Sequence, residues 1–501
     1  MPLSSHSTRL KTVFCLLLFV CSGCDPKLPT NEIRFALASE PVRLDPRYTT
    51  DAAGTRINRL LFHSLVDFDE NMQPKPLLAD WHQLAPTLYR FILKESRAPF
   101  SDGTQLTSRD VQSTYLHILD EAKGSPHRVT LARSIREIRV VDDNQIDFML
   151  SQPDPLFPAR LTVGIVKQGS GSTSEDDLIG NGPFTLIARA GGQDTLLNRR
   201  EDGLRVRFIK VSDPTVRALK LERGEVDLAQ NDFPAEVIGY LATKSHLNVF
   251  NAPGSNFSYL GFNLQDAPSS DLRFRQAIAH AIDRDAVINH IFDGLARRAE
   301  SILPANHWAS AELPPITYRP DRARELLRQL GYDLDSPIQV SFKTSNDPFR
   351  IRLATILQSM LARVGIALNI QSYDWGTFYG DIKAGRFTMF SLAWVGIKTP
   401  DIYRYVFHSQ SVPPMGANRG RMNDPMLDRL IDSAELATDL SLQANYYVEV
   451  AERVQQQLPY IPLWYEHNVL VMHCRIVGYQ LAADGQYDSL TKAAIGESCD
   501  S

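Results

Sequence analysis

Cysteine is scarce in this chain, with five among 501 residues. Cys15 and Cys21 lie in an apolar run near the start. So few cysteines exclude a small fold built on a dense disulfide framework. An excess of basic charge is also missing: 53 Lys and Arg stand against 58 Asp and Glu, a formal net charge of −5. No nucleic-acid partner is therefore expected, since that would need a basic stripe. Long hydrophobic runs are absent too. The run 13–21 falls far short of the roughly 20 residues of a membrane-spanning helix, and no other segment is long and apolar enough. The sequence carries no zinc-protease helix motif, no nucleophile elbow and no cofactor fingerprint. Neither an enzyme nor a cofactor is expected.

What is present begins with an export signal over residues 1–23. Arg9 and Lys11 precede the short apolar run, and Ser22 and Gly23 then lead to Cys24. This is similar to a lipobox, in which Cys24 is the lipid anchor and the first mature residue. Cys21 stands where such motifs usually carry Leu, so ordinary cleavage to an unlipidated protein is the alternative. Loss of Arg9 and Lys11, with no acid among residues 1–23, takes the formal charge from −5 to −7. If Cys24 is lipidated, Cys474 and Cys499 remain as an even pair. In an oxidising compartment they either form a disulfide or stay as two thiols. His467, His473 and Cys474 lie near one another, but without a recognised metal spacing, and His408 is isolated. No metal is expected.

The mature length suggests roughly three domain-sized units. The first half reads as strands and hairpins. Segments 135–141 and 145–150 flank Asp142-Asp143-Asn144, and segments 184–189 and 194–197 flank Gly191-Gly192. Residues 169–174 form a Gly-Ser surface loop. The second half alternates. Asp321 caps a helix with apolar face Ala323, Leu326, Leu327 and Leu330, stopped by Gly331. A strand follows at 338–342, then a helical stripe from Leu353 to Val364 ended by Gly365, a strand at 366–370, a helix at 378–384 and a strand at 387–394. This β-α-β-α-β order predicts a mainly parallel sheet covered by helices.

An ordered set of short motifs spans most of the mature chain. It opens with Leu44-Asp45-Pro46. Phe100-Ser101-Asp102-Gly103-Thr104 follows, with Leu106-Thr107 and Asp110-Val111, then Gly180-Asn181-Gly182-Pro183-Phe184 and Gly224-Glu225-Val226-Asp227. Tyr259-Leu260-Gly261-Phe262-Asn263 and Arg275-Gln276-Ala277-Ile278 lead to Ala281-Ile282-Asp283. Asn423-Asp424-Pro425 with Asp428, and Tyr460-Ile461-Pro462-Leu463, complete the series. Together they resemble bacterial solute-binding protein family 5, the oligopeptide, dipeptide and nickel receptors of ABC importers. The resemblance implies an α/β, two-lobe periplasmic-binding-protein fold (type II, large peptide-binding class), with an extra subdomain at about 70–180 in lobe I. Lobe I would cover 24–263, lobe II 264–470, and 471–501 would return to lobe I. The implied function is extracytoplasmic capture of a peptide or other small solute and its delivery to ABC permease subunits. The protein would be a monomer in the periplasm or cell envelope, touching a membrane only through its lipid. A sensor partner or periplasmic chaperone with the same fold is the alternative.

In parallel sheets, ligands favour the crevice beyond the carboxyl ends of the strands. The loop after the strand ending at Trp394 is therefore the expected cleft wall. Trp394 offers a flat face, Gly396 lets backbone approach a ligand, and Arg404, Tyr405 and His408 follow. Many peptide-binding members of the family carry Trp-x-x-Asp here, whose Asp pairs with the peptide α-ammonium. Aligned on Trp394, this chain has Ile397 at that position. Either Asp401 takes over from a shifted loop, or free peptide N-termini are not read. Lys398 beside Ile397 suits an anionic or neutral ligand. Glu40, in Ser39-Glu40-Pro41, is expected on the opposite wall.

Overall fold

The periodic segments assemble into one mixed sheet of eleven strands. In order these are Ile366–Tyr373, Ile338–Ser345, Met389–Trp394, Leu247–Phe262, Tyr460–His473, Leu228–Gln230, Glu32–Leu37, Arg205–Lys210, Asp194–Arg199 and Phe184–Ala190. Ala296–Arg298 joins beside Tyr460–His473. The computed structural model describes residues 31–171, 174, 177–190, 194–496 and 499. The segment expected to direct export, with Cys24, the Gly191-Gly192 turn and part of the 169–174 stretch lie outside these residues.

Two long antiparallel strands, Leu247–Phe262 and Tyr460–His473, run through both lobes and join them. Their pairing shifts register between Ala252 and Asn256. Within that break, Gly254 packs so tightly against the Glu466 carbonyl that no Cβ would fit. The glycine is there for close backbone approach.

In lobe II, Ile338–Ser345 runs parallel to both Ile366–Tyr373 and Met389–Trp394. Helices Pro348–Ala362 and Trp375–Ala384 make the crossovers. The stripe Leu353, Leu357 and Leu361 packs on Val340, Phe342 and Leu368. Full burial of each such side chain contributes about 1.5–3 kcal/mol. One detail differs from the sequence expectation. Helix Pro320–Arg328 starts at Arg319, with Asp321 in its first turn. Pro320 is preset for a first helical position, so the cap falls one residue before it.

In lobe I, Glu32–Leu37 lies parallel to Arg205–Lys210 and Leu228–Gln230. A separate four-stranded sheet, Ala79–Ala85, Leu88–Leu93, Gln145–Leu150 and Ile135–Val140, has its own core around Phe91, Tyr115, Phe148 and Phe157. Several shared motifs act here as packing and capping devices. The Asp110 carboxylate takes the Thr107 N–H at 2.8 Å and its hydroxyl at 2.9 Å, fixing the start of helix Ser108–Leu119. Leu106 and Val111 beside them are fully buried. Gly180 and Gly182 press on the end of helix Ala52–Leu61, where a Cβ would strike the Leu61 and Leu60 carbonyls. Asn181 between them accepts the His63 N–H at 3.0 Å.

After Tyr460–His473, Tyr479, Tyr487 and Leu490 pack against Phe35 and Phe208. Cys474 and Cys499 are paired as a disulfide, with Cα atoms 5.5 Å apart and a sequence separation of 25. Closing a loop of that length removes denatured-state entropy worth about 3–4 kcal/mol. A Cys474→Ser/Cys499→Ser variant should therefore melt several degrees lower. The wild type should show a matching loss on reduction, and thiol titration of the native protein should find neither cysteine free.

Candidate functional site

Between the lobes lies a cavity of about 610 Å³. Lobe I lines it with Asn58 and Arg59 of helix Ala52–Leu61, with His63 and His127, and with Arg160 at the end of the turn Phe157–Arg160. The returning tail adds Gln486 and Asp488. Lobe II contributes Gly396, Lys398, Thr399 and Asp401. These four follow strand Met389–Trp394, at the carboxyl end where a crevice opens.

Every cation on these walls has a carboxylate partner. Arg59 meets Asp67 through two 2.9 Å bonds and Asp488 at 2.6 Å. Burial opposes its charge, but the two carboxylates outweigh it and push its pKa up. Arg160 donates from Nε to Asp154 at 2.7 Å and from Nη1 to Asp401 at 2.8 Å. It too is held firmly charged against the cost of burial. Asp154 belongs to lobe I and Asp401 to lobe II, so this guanidinium bridges the cleft. Thr399 donates its hydroxyl to the other Asp401 oxygen. Lys398 reaches back across the cleft to Asp484 at 3.0 Å and over the Phe68 ring at 5.3 Å. His63 is pushed down by burial first and by the Arg59 charge second. His127 is lowered by burial, against backbone carbonyls that favour its charged form. Both face the cavity as neutral imidazoles near pH 7.

The structure separates the residues named from sequence. Gly396, Lys398 and Asp401 are on the cavity wall. Ile397, 7 % exposed, points the other way, into the lobe II core with Tyr403, Phe407 and Leu427. The left-handed backbone at Gly396 turns the chain just before it, and burial in that core leaves Ile397 little surface for a ligand. Trp394 is half-buried outside the cavity, with the Arg419 guanidinium 4.8 Å from its ring. Arg404 turns away to Glu435 at 2.6 Å and to Asp432. His408 is buried beside Asp432 at 3.4 Å, and Tyr405 is exposed. Glu40 is also away from the cavity. The chain leaving Glu32–Leu37 stays beside the neighbouring strand, and Glu40 sits 3.7 Å from Lys210. Helix Ala52–Leu61 supplies the wall instead. His473 Nδ1 lies 3.7 Å from the sulfurs of both Cys474 and Cys499. These three residues have the spacing of a metal set, but the bridged sulfurs are not thiolate ligands.

Asn58, Arg59, His63, His127, Arg160 and Gln486 were not found from sequence. One signal was available: Asn58 falls among the buried Ile57, Leu60 and Leu61 of an amphipathic helix. A polar residue on an apolar face needs a partner.

The segment that supports the cleft loop carries a pH-sensitive group. His307 accepts the Ala309 N–H on Nδ1 at 3.0 Å, which leaves Nε2 to donate to the Lys398 carbonyl at 3.2 Å. Burial lowers its pKa to about 4, against about 6.5 in the unfolded chain. Its contribution to stability is full above pH 6.5 and is lost as pH falls toward 4, because only the unfolded state takes the proton in that window. His307→Asn keeps an acceptor for Ala309. It should flatten the decline in melting temperature between pH 6.5 and 4 relative to wild type.

Two lobes joined by paired strands, with a cavity between them, define a protein built to take up a small molecule. The chain belongs to bacterial extracellular solute-binding protein family 5: residues 73–413 match the family described as "Bacterial extracellular solute-binding proteins, family 5 Middle". It is 27 % identical over 470 residues to "Probable di/tripeptide-binding protein 5" of Pseudomonas aeruginosa, covering 86 % of this chain and 89 % of that one. It is 26 % identical over 506 residues to "Heme-binding protein A" of Haemophilus influenzae, covering 92 % and 91 %. Among solved structures it resembles NikZ of Campylobacter jejuni in complex with Ni(L-His). There the TM-score is 0.80 at 21 % identity, over 93 % of this chain and 100 % of that one. The fold is the type II periplasmic-binding-protein fold of the large peptide-binding class, with the additional four-stranded unit in lobe I.

Proposed function

We propose that this protein is an extracytoplasmic receptor of an ABC importer. It captures a peptide or other small solute between its lobes and presents the closed form to a membrane permease, acting as a monomer tethered to the envelope through Cys24. The observation that carries this reading is the position of the cavity. It is closed by Arg160–Asp401 and Lys398–Asp484, pairs whose two members come from different lobes. Opening the lobes breaks both pairs and exposes the walls. A solute that bridges the walls favours the closed state by its differential affinity. The register break near Gly254, where the returning strand passes Glu466, supports a hinge there. The lobes accordingly divide within the two long strands, and residues after about 470 complete lobe I. Of the residues named from sequence, Gly396, Lys398 and Asp401 are assigned to the ligand wall. The matched relatives are named as binding proteins, in keeping with capture rather than catalysis.

Small-angle scattering of the mature chain tests the receptor. A bound solute should reduce the radius of gyration and raise the melting temperature together. Unchanged scattering for every solute that binds would overturn capture by closure.

A further inference from the structure

We propose that the cavity takes an uncharged polar solute that donates hydrogen bonds, and that it discriminates against a ligand bearing a free carboxylate or ammonium at the site. The inference rests on the receptor reading and adds the chemical class of the ligand.

The walls have no charge to spare. Arg59 is paired with Asp67 and Asp488, Arg160 with Asp154 and Asp401, and Lys398 with Asp484, and on the wall itself the three cations are matched by Asp67, Asp401 and Asp488. An anionic ligand would meet no cation without a carboxylate partner and no net positive charge on the wall. It would lose hydration without gaining a partner. A ligand ammonium meets the opposite obstacle. Asp401 gives one oxygen to Arg160 and the other to Thr399. Asp67 gives both oxygens to Arg59, and Asp488 is bound by Arg59 through both of its oxygens. An incoming cation would have to share carboxylate oxygens that already hold a guanidinium, beside the positive charge of Arg59 or Arg160.

What is uncommitted is neutral. The Asn58 carboxamide, 6 % exposed, has no partner for its oxygen. Its orientation is set by a neighbour. Thr49 Oγ1 directs its single proton to the carbonyls of Arg43 and Asp45. It therefore accepts from Asn58 Nδ2 at 2.7 Å, which leaves Asn58 Oδ1 as the free acceptor. Gln486, 9 % exposed, likewise has an unpartnered oxygen, and His127 an unpartnered Nε2. All three residues line the cavity. Buried polar atoms are completed by hydrogen bonds, and an amide or hydroxyl donor on the ligand would complete these. The volume is within the range of small-molecule sites.

The test joins native mass spectrometry of the mature protein, as purified, to calorimetry with three probes. These are N-acetyl-trialanine amide, free trialanine and maltose. The expected result is a co-purified solute with no ionised group, or binding of the blocked peptide or maltose at least tenfold tighter than trialanine. Asn58→Leu or Gln486→Leu should weaken the uncharged solute about tenfold. Two variants are used because Asn58 also holds Thr49, and melting curves identify a variant that has not folded. A co-purified carboxylate or ammonium compound, or trialanine binding as tightly as its blocked form, overturns the inference and leaves the receptor standing. If nothing co-purifies, no probe binds and scattering does not change, the receptor reading falls and the inference with it.

Discussion

Arg160→Met is expected to lower the melting temperature and to shift the protein toward an open form. Arg160 is the only link between Asp154 of lobe I and Asp401 of lobe II among the described contacts. Methionine keeps the apolar stem and removes both bonds. Two carboxylates are then left in a site that gives them little water, with side-chain exposures of 10 % and 27 %. Removing one partner of a buried pair costs about 3–5 kcal/mol. The more exposed Asp401 places its share at the low end of that range. The two losses separate by location. The Asp154 loss acts within lobe I and is read in the melting temperature. The Asp401 loss exists only when the lobes are closed, so it is read in the radius of gyration. Asp401→Asn removes only the second. It should open the protein with a smaller thermal penalty, by about 1–2 kcal/mol in the closing equilibrium for a charged hydrogen bond partly exposed to solvent. In the double variant Arg160→Met/Asp401→Asn, stability should recover part of the Arg160→Met loss, since the stranded Asp401 charge is gone. If Arg160→Met had the wild-type melting curve and the wild-type scattering, the bridge would carry neither role.

This bridge also shows where sequence reading stops. Arg160 and Asp401 are separated by 241 residues, and no local pattern marks them as partners. Their meeting depends on the two long strands placing one lobe over the other. Local chemistry was legible. Gly331 and Gly365 end helices where expected, both with positive φ. The alternation in 338–342 and 366–370 became parallel neighbours because one face of each strand is buried. The cleft loop after Trp394 followed from the general position of crevices in parallel sheets, and Gly396, Lys398 and Asp401 do line the cavity. Motif alignment failed at side-chain direction. It placed Ile397 at a ligand position, while burial among Tyr403 and Phe407 decides that this apolar side chain turns inward. Lys398 read as suiting an anionic or neutral ligand. Its pairing with Asp484 comes from a tail segment that only the folded chain brings near. The shared motifs carried the family resemblance and not the site. They are the most regular features of the sequence, yet Asp110, Asn181 and Gly182 cap and seat helices around the cavity rather than lining it.

Asp227, the last residue of the motif Gly224-Glu225-Val226-Asp227, should be among the most damaging positions to alter. It is 0 % exposed and carries two arginines. Its Oδ2 accepts from the Arg34 backbone N–H at 2.7 Å and from Arg34 Nε at 3.1 Å. Its Oδ1 accepts from Arg34 Nη2 at 2.9 Å and from Arg475 Nε at 2.7 Å. Its own N–H donates to the Arg34 carbonyl, and its carbonyl takes the His473 N–H at 2.7 Å. One residue thus fastens the first strand of lobe I, the strand that starts at Leu228, and the end of the returning strand, next to the disulfide at Cys474. Asp227→Ala leaves two guanidiniums without their carboxylate in a site closed to water. The expected loss is about 3–5 kcal/mol, a large part of the 5–15 kcal/mol that holds a typical protein folded. Arg475→Met should cost far less, about 1 kcal/mol. It removes the more exposed arginine and leaves Asp227 paired with Arg34. Urea denaturation followed by fluorescence measures both. The midpoint should fall steeply for Asp227→Ala and only slightly for Arg475→Met. The Asp227→Ala transition should also separate an early unfolding of lobe I from a later one of lobe II, because the lost contacts all belong to lobe I. Equal midpoints for the two variants would mean that the carboxylate is dispensable and that strand pairing alone retains the returning tail.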